Sequence, residues 1–303
     1  MHSEEQKSVL VSGGRGFIGH ATVKLLQRSG YRVLSLDLGT VIQTQPVTNS
    51  QQIQCDLEDV GRLQDVFERN RISGIIHLAA ILPTAAQRNP LLATQVNISG
   101  TVNLLEMARR FRVERFVFGS SLSIYGTYPA EHVVSEGDAT VPEDLYGAAK
   151  LYVEQMGRAY RESYGLDFIS LRIGRVVGPG TNSMSSAWRS EIFELLTTDH
   201  PAEICVPYRP SERILVVHVD DVAQMLLALL SASSTKQTIY NAPCSAIVVE
   251  DLKRVVVHRN PRLTLRLGQG IPVGNPRALD FSRFENEFDF KIVPIFDRLR
   301  KVN

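Results

Sequence analysis

Between Val9 and His20 the chain reads VLVSGGRGFIGH, which places Gly13, Gly16 and Gly19 at three-residue intervals between an apolar run and an amphipathic stretch. Glycines at this spacing let the backbone turn tightly and bring bare N–H groups up to anionic oxygens. The helix that follows aims its positive end at the same charge. The turn is therefore shaped for a pyrophosphate. Residues 8–11 read as a short buried strand, and residues 21–27 repeat apolar side chains at helical spacing, so the order is strand, turn, helix.

Two further features extend this reading. Asp37 closes a second strand, residues 31–36, and lies 18 residues beyond Gly19. An acid there accepts hydrogen bonds from ribose hydroxyls and repels a 2′-phosphate, so NAD is favoured over NADP. Arg15, inside the turn, is the one residue that would suit a 2′-phosphate. Downstream, Tyr146 and Lys150 form a YxxxK pair within a predicted helix over residues 144–163. Four residues apart on a helix, they share a face. A neighbouring ammonium favours the phenolate of a group whose ordinary pKa is about 10, bringing it toward use as a general base. Ser121 precedes Tyr146 by 25 residues, at the end of an apolar strand over residues 115–118.

With these residues in place, the chain resembles the extended short-chain dehydrogenase/reductases, the NAD-dependent epimerase/dehydratase family. The similarity is carried by GGRGFIG at 13–19, CDL at 55–57, HLAA at 77–80, Asn97 in VNISGTVNLLE, FVFGSSLSIYG at 116–126, LYGAAK at 145–150, LRIGRVVGPG at 171–180 and HVDDVA at 218–223. The resemblance implies catalysis by Ser121, Tyr146 and Lys150. It also implies NAD binding by Gly13, Gly16, Phe17, Ile18, Asp37, Asp56, Leu57, Leu78, Ala79, Ala80, Asn97, Tyr146 and Lys150. Substrate would meet Ser121, Ser123, Tyr146, Arg175, Ser185 and Arg213, with Ser186 a further hydroxyl donor. Asp56 has a second reading, as N-cap of a helix over residues 58–69, and Tyr125 reads as structural.

Alternating strands (8–12, 31–37, 52–55, 74–78, 115–120, 167–173) and helices imply a Rossmann-type α/β fold, a doubly wound parallel sheet with right-handed crossovers. Ligands then bind beyond the carboxyl ends of the strands. After Val176 a Gly/Pro/Ser/Asn-rich loop precedes a helix over residues 188–197, and a smaller C-terminal substrate-binding domain begins. The expected division is residues 1–176 with 214–235 returning to the sheet, against 177–213 and 236–303. Asp220 or Asp221 would cap the helix over 222–230.

Composition excludes several classes of function. A net charge of +1 gives no electrostatic case for nucleic acid, and Cys55, Cys205 and Cys244 lie too far apart for a disulfide framework or a zinc site. The polar N-terminus and the lack of an 18-residue apolar stretch imply neither leader nor membrane span, hence a cytoplasmic location. A homodimer is expected through residues 91–110 and 144–163, where Leu104, Leu105, Met107, Tyr152, Val153, Met156 and Tyr160 supply apolar surface that would otherwise face the sheet.

The family comprises epimerases, dehydratases and dehydrogenases. Dehydratases resemble one another in an Asp-Glu pair after the serine, where this chain has Leu122 and Ser123. Nucleotide-sugar enzymes carry an Asn where Arg175 stands, and an Arg where Ile214 stands. Arg213 is offset by one residue and so faces the other side of a strand. The chain resembles instead the small sugar-acid branch, such as D-erythronate dehydrogenases, with Arg175 a candidate bidentate carboxylate ligand. The alternatives are a nucleotide-sugar 4-epimerase (UDP-glucose 4-epimerase-like) and a non-catalytic NAD-binding regulatory protein.

Overall fold

The computed structural model describes residues 8–39, 49–180 and 186–302. In chain order the strands are β1 (Ser8–Ser12), β2 (Arg32–Asp37), β3 (Ser50–Gln54), β4 (Ile72–His77), β5 (Arg115–Ser121), β6 (Val133–Val134), β7 (Phe168–Ile173), β8 (Arg175–Val177), β9 (Ala202–Tyr208), β10 (Arg213–His218), β11 (Ile239–Asn241), β12 (Ser245–Val248), β13 (Leu263–Gly270) and β14 (Ala278–Leu279). Seven of them form one parallel sheet in the order β11-β7-β5-β4-β1-β2-β3. The order reverses direction between β1 and β4, and a crevice opens there at the strand ends.

Alternate residues of each strand feed opposite faces. Val9, Val11, Ile76, Val117 and Ile169 pack with Leu26 of helix Phe17–Arg28 and with Val222, Met225, Leu226 and Leu229 of helix Val219–Ser231. Leu10, Leu34, Ile75, Phe116 and Phe168 meet Leu63, Phe67, Leu104, Leu105 and Val153 on the other side. Leu104, Leu105, Met107 and Val153 are thus core residues rather than dimer surface, and Met156 and Tyr160 pack partly against the same core. Of the predicted interface set only Tyr152 is exposed, at 46%.

The expected return to the sheet through residues 214–219 is corrected. β10 pairs parallel with β8 and antiparallel with β12 in a separate three-stranded sheet, while β11 takes the edge beside β7. Gly174 interrupts the run between β7 and β8, so the chain leaves the central sheet there. β10 buries Ile214 and Val216 in a third core with Val177, Trp188, Ile204, Ile247 and Leu265, and buries Leu215 and Val217 in the first. A strand covered on both faces reads the same in either sheet.

Two caps also differ from expectation. Asp59, not Asp56, caps helix Val60–Glu68 by accepting from Arg62 N at 2.9 Å, while Asp56 Oδ1 accepts from Glu58 N at 2.9 Å in the preceding turn. Helix Val219–Ser231 begins earlier than predicted and is capped by His218, whose Nδ1 accepts from Asp220 N at 3.3 Å. Asp221 is held instead by Arg298 Nη2 at 2.5 Å. The predicted helix over 91–110 is three joined pieces, Pro90–Thr94, a π-helical turn Gln95–Gly100, and Thr101–Arg110.

Candidate active site

The glycine turn sits at the carboxyl end of β1. Gly13 has φ +68°, and a Cβ there would lie 2.7 Å from Ala79 N; at Gly19 a Cβ would lie 2.0 Å from Gly13 O. Only glycine lets helix Phe17–Arg28 start this close to the turn. Gly16 caps that helix without a side chain, which leaves first-turn N–H groups open to an anion.

Two clefts meet at the turn. One, of about 200 Å³, is lined by Asp37, Cys55, Asp56, Leu57, Ala79 and Val96; the other, of about 490 Å³, runs past Phe17, Ile18, Ser121, Ser123, Tyr146 and Lys150. Gly13, Gly16, Leu78 and Ala80 line both. Two chambers joined over a row of glycine N–H groups suit a dinucleotide, with its pyrophosphate at the junction. Asp37 closes the smaller chamber, its Oδ2 accepting from Arg15 N at 3.2 Å.

Asn97 is brought to neither chamber. Its Oδ1 accepts from Ile81 N at 2.7 Å and its Nδ2 donates to Ile81 O at 3.0 Å. Both ends of the amide are used on the backbone, so Asn97 clasps the wall of the cleft where contact with the cofactor was expected. Beneath that wall His77 is buried, with Nδ1 2.5 Å from Ser12 Oγ and Nε2 2.8 Å from Thr101 Oγ1. Burial, reinforced by Lys150, pushes His77 down to about 3.

Ser121, Tyr146 and Lys150 converge at the middle of the larger cleft. Ser121 Oγ accepts from Ser123 N and donates to Ser123 Oγ, each at 3.1 Å. Helix Leu145–Tyr164, capped by Asp144 accepting from Gly147 N at 2.6 Å, carries both Tyr146 and Lys150. Lys150 Nζ donates to Gly119 O at 2.7 Å and lies 5.5 Å from the Tyr146 ring centroid. Burial pulls Lys150 down to about 7, opposed by the charge of Glu154. Burial and the charge of Asp144 push Tyr146 up to about 12, opposed by its hydrogen bond with Ser121. The direction is thus opposite to the lowering expected from Lys150, because burial of the phenol outweighs it.

Arg175 lines the same cleft, its Nε donating to Tyr208 OH at 3.2 Å. Arg189, Tyr208 and Ser186 stand with it. Arg189 and Tyr208 escaped the sequence reading, because neither belongs to a motif and the two are 19 residues apart in the chain. The nearest signal was Trp188, which anchors the short helix beside Arg189 and meets the Tyr208 ring edge-on at 6.3 Å. Arg213 is corrected: it is exposed at the start of β10 and does not line the cleft, because the continuous burial of β10 begins only at Ile214. Ser185 lies outside the described residues. Tyr125 is structural, donating to Asn241 Oδ1 at 2.7 Å and accepting from Arg172 Nη1 at 2.7 Å.

Comparison with known proteins agrees with this arrangement. Residues 9–242 match the family described as NAD dependent epimerase/dehydratase. A UDP-glucose 4-epimerase of Lacticaseibacillus casei is 35% identical over 174 residues, 56% of this chain and 52% of that protein. The chain thus matches about half the length of that relative. The mitochondrial L-threonine 3-dehydrogenase of Bos taurus is 26% identical over 299 residues, 95% of this chain and 79% of that protein. Among solved structures, the Thermus thermophilus UDP-glucose 4-epimerase complex with NAD superposes with TM-score 0.82 at 26% identity, covering 97% of each chain. The Trypanosoma brucei L-threonine 3-dehydrogenase has the same fold, with TM-score 0.84 at 22% identity over 97% of this chain and 94% of that one. The glycine turn, the acid after the second strand and the Ser-Tyr-Lys set all fall within the matched residues: this chain belongs to the NAD-dependent epimerase/dehydratase family.

Proposed function

We propose that the protein is an NAD-dependent dehydrogenase of a sugar acid or similar small polyol. The observation that carries the reading is the larger cleft itself. It is lined by the glycine turn, by Ser121, Tyr146 and Lys150, and by Arg175. NAD, when bound, supplies the hydride acceptor. Tyr146 takes the proton of the substrate hydroxyl, and Ser121 holds that oxygen in line. Lys150 supplies positive charge on the same helical face and fixes the ribose nearest the reacting carbon. Gly13, Gly16, Phe17 and Ile18 hold the pyrophosphate side. Asp37, Asp56, Leu57, Leu78, Ala79 and Ala80 hold the adenosine side, and Asn97 supports the latter through Ile81. Ser123 and Arg175 orient the substrate.

Two observations support dehydrogenation of a small molecule over epimerisation of a sugar nucleotide. Arg213 stands outside the cleft, and Ile214 is buried where a diphosphate-binding cation would be needed. Coverage does not separate the two readings, since the threonine dehydrogenase relative matches 95% of this chain and the Thermus thermophilus epimerase structure 97% of it, each at 26% identity. The epimerase reading keeps the higher local identity, 35%. Incubating the protein with NAD and a panel of aldonates and uronates separates the two. Steady NADH formation supports the dehydrogenase. Interconversion of UDP-glucose and UDP-galactose without net NADH supports the epimerase, and cofactor binding with no turnover of either kind supports a regulatory role.

A further inference from the structure

On the wall of the larger cleft, three elements bring cationic and phenolic groups together. Arg175 comes from β8, Arg189 from helix Trp188–Glu194 and Tyr208 from the end of β9. The Tyr208 oxygen accepts from Arg175 Nε at 3.2 Å and is also hydrogen-bonded to Arg189. The Arg175 guanidinium carbon lies 5.6 Å from the centroid of the Tyr208 ring.

We infer that Arg175, Arg189 and Tyr208 form an oxyanion subsite that receives a carboxylate or phosphate-ester end of the substrate and selects against neutral polyols. The inference rests on the proposed function and narrows its substrate class. Two guanidiniums share one phenol, and among the described residues neither forms an ion pair with a carboxylate. Arg189 Nε is buried without a hydrogen-bond partner. Burial, and then the charge of Arg175, push Arg189 below the ordinary guanidinium range, opposed only by Tyr208. Like charges this close, with a donor left over, are held apart from water at a cost that an oxyanion between them removes. Because the Tyr208 oxygen accepts from the arginines, its own O–H is left to donate into the cleft. The donors are fixed in place. Arg175 belongs to a strand paired with β10, the Tyr208 ring is wedged by Trp188, and the Arg189 carbonyl accepts from Gly178 N at 3.0 Å. Ser186 and Asn275 complete the rim with polar groups.

The test compares three ligand types of matched chain length, D-erythronate, erythritol 4-phosphate and erythritol, with the NAD-loaded parent and with Arg189→Met, Arg189→Lys and Arg175→Met. The expected result is turnover of the carboxylate or the phosphate ester, whichever end is native, and not of erythritol. Arg189→Met then raises KM for the acid by about 10- to 100-fold, the range for a lost hydrogen bond to a charged group, with a smaller change in kcat. Arg189→Lys recovers part of the loss, as expected for a charge whose planar fork also matters. Malonate and inorganic phosphate, measured by calorimetry against the NADH complex, give a readout independent of turnover: the parent binds one of them and Arg189→Met does not. Circular dichroism and NADH fluorescence matching the parent establish that each variant is folded. Erythritol oxidised as well as the acid, or absence of anion binding by the parent, overturns the subsite. Neither outcome touches the dehydrogenase reading, which fails separately if Tyr146→Phe turns over normally.

Discussion

In the proposed reaction Tyr146 is the general base, and its surroundings set a pH dependence. A general base must lose its proton to act, and burial with Asp144 holds the phenol up at about 12. Alcohol oxidation is therefore expected to accelerate with pH across about 7 to 10 as the phenolate fraction grows. Asp144→Asn removes a charge that raises the phenol and keeps an oxygen for the cap, so the kcat/KM profile should move to lower pH; a shift to higher pH would contradict this. His77 offers a test on stability. Its folded value of about 3 lies below the ordinary 6.5, so between these values the unfolded chain binds more protons. Stability then rises with pH through that window and is lost as pH falls through about 6.5. Denaturant titrations from pH 4 to 7 should show this slope, and His77→Gln should flatten it. Most of the residues that line the two chambers were readable because their types are demanding: glycines in a tight turn after a strand, an acid at the end of the next strand, tyrosine four residues before lysine. Arg189 was not, because a single arginine at the start of a short helix signals nothing until the fold sets it beside Arg175.

At the level of elements, helix Leu145–Tyr164 has the largest share in placing the site, since its first turn carries Tyr146 and its second Lys150. Asp144→Ala should lower stability by about 1 kcal/mol through the lost cap, whereas Asp144→Asn should cost a few tenths. Thermal or urea unfolding distinguishes them, and equal losses would show that the charge rather than the cap matters. The strands of the central sheet were legible as apolar runs bounded by turn residues, and their parallel pairing followed from the helices between them. Where reading failed, the competing arrangements were locally equivalent. Asp56 and Asp59 are both acids before the same helix, and His218 caps as readily as the aspartates after it. The π-helical turn at Gln95–Gly100 left no trace in periodicity, because one extra residue per turn over six residues barely shifts the apolar pattern.

Across the whole molecule a buried network ties helix Leu145–Tyr164 to later parts of the chain. Glu154 pairs with Arg172 Nη2 at 2.8 Å, with both side chains almost fully buried, and Arg172 reaches Tyr125, which holds Asn241 on β11. Asn241 Nδ2 in turn donates to Asp280 O at 2.9 Å. Arg172→Met would leave the Glu154 carboxylate buried without its cation and is expected to cost about 3 to 5 kcal/mol. Equilibrium unfolding measures this, and a loss under about 1 kcal/mol would show that the network is dispensable. Exposed Leu91, Tyr152 and Tyr164, at 71%, 46% and 58%, leave apolar surface on the side expected for a homodimer. Sedimentation at micromolar concentration should give twice 33.7 kDa, and a monomer would remove that expectation. The central claim is that Tyr146 exchanges a proton with a substrate alcohol beside a bound nicotinamide. It is tested most directly by NADH formation from NAD and an aldonate, comparing the parent with Tyr146→Phe. A loss of about 100- to 10,000-fold in kcat with NADH affinity retained is the predicted result. Undiminished turnover in Tyr146→Phe would contradict it.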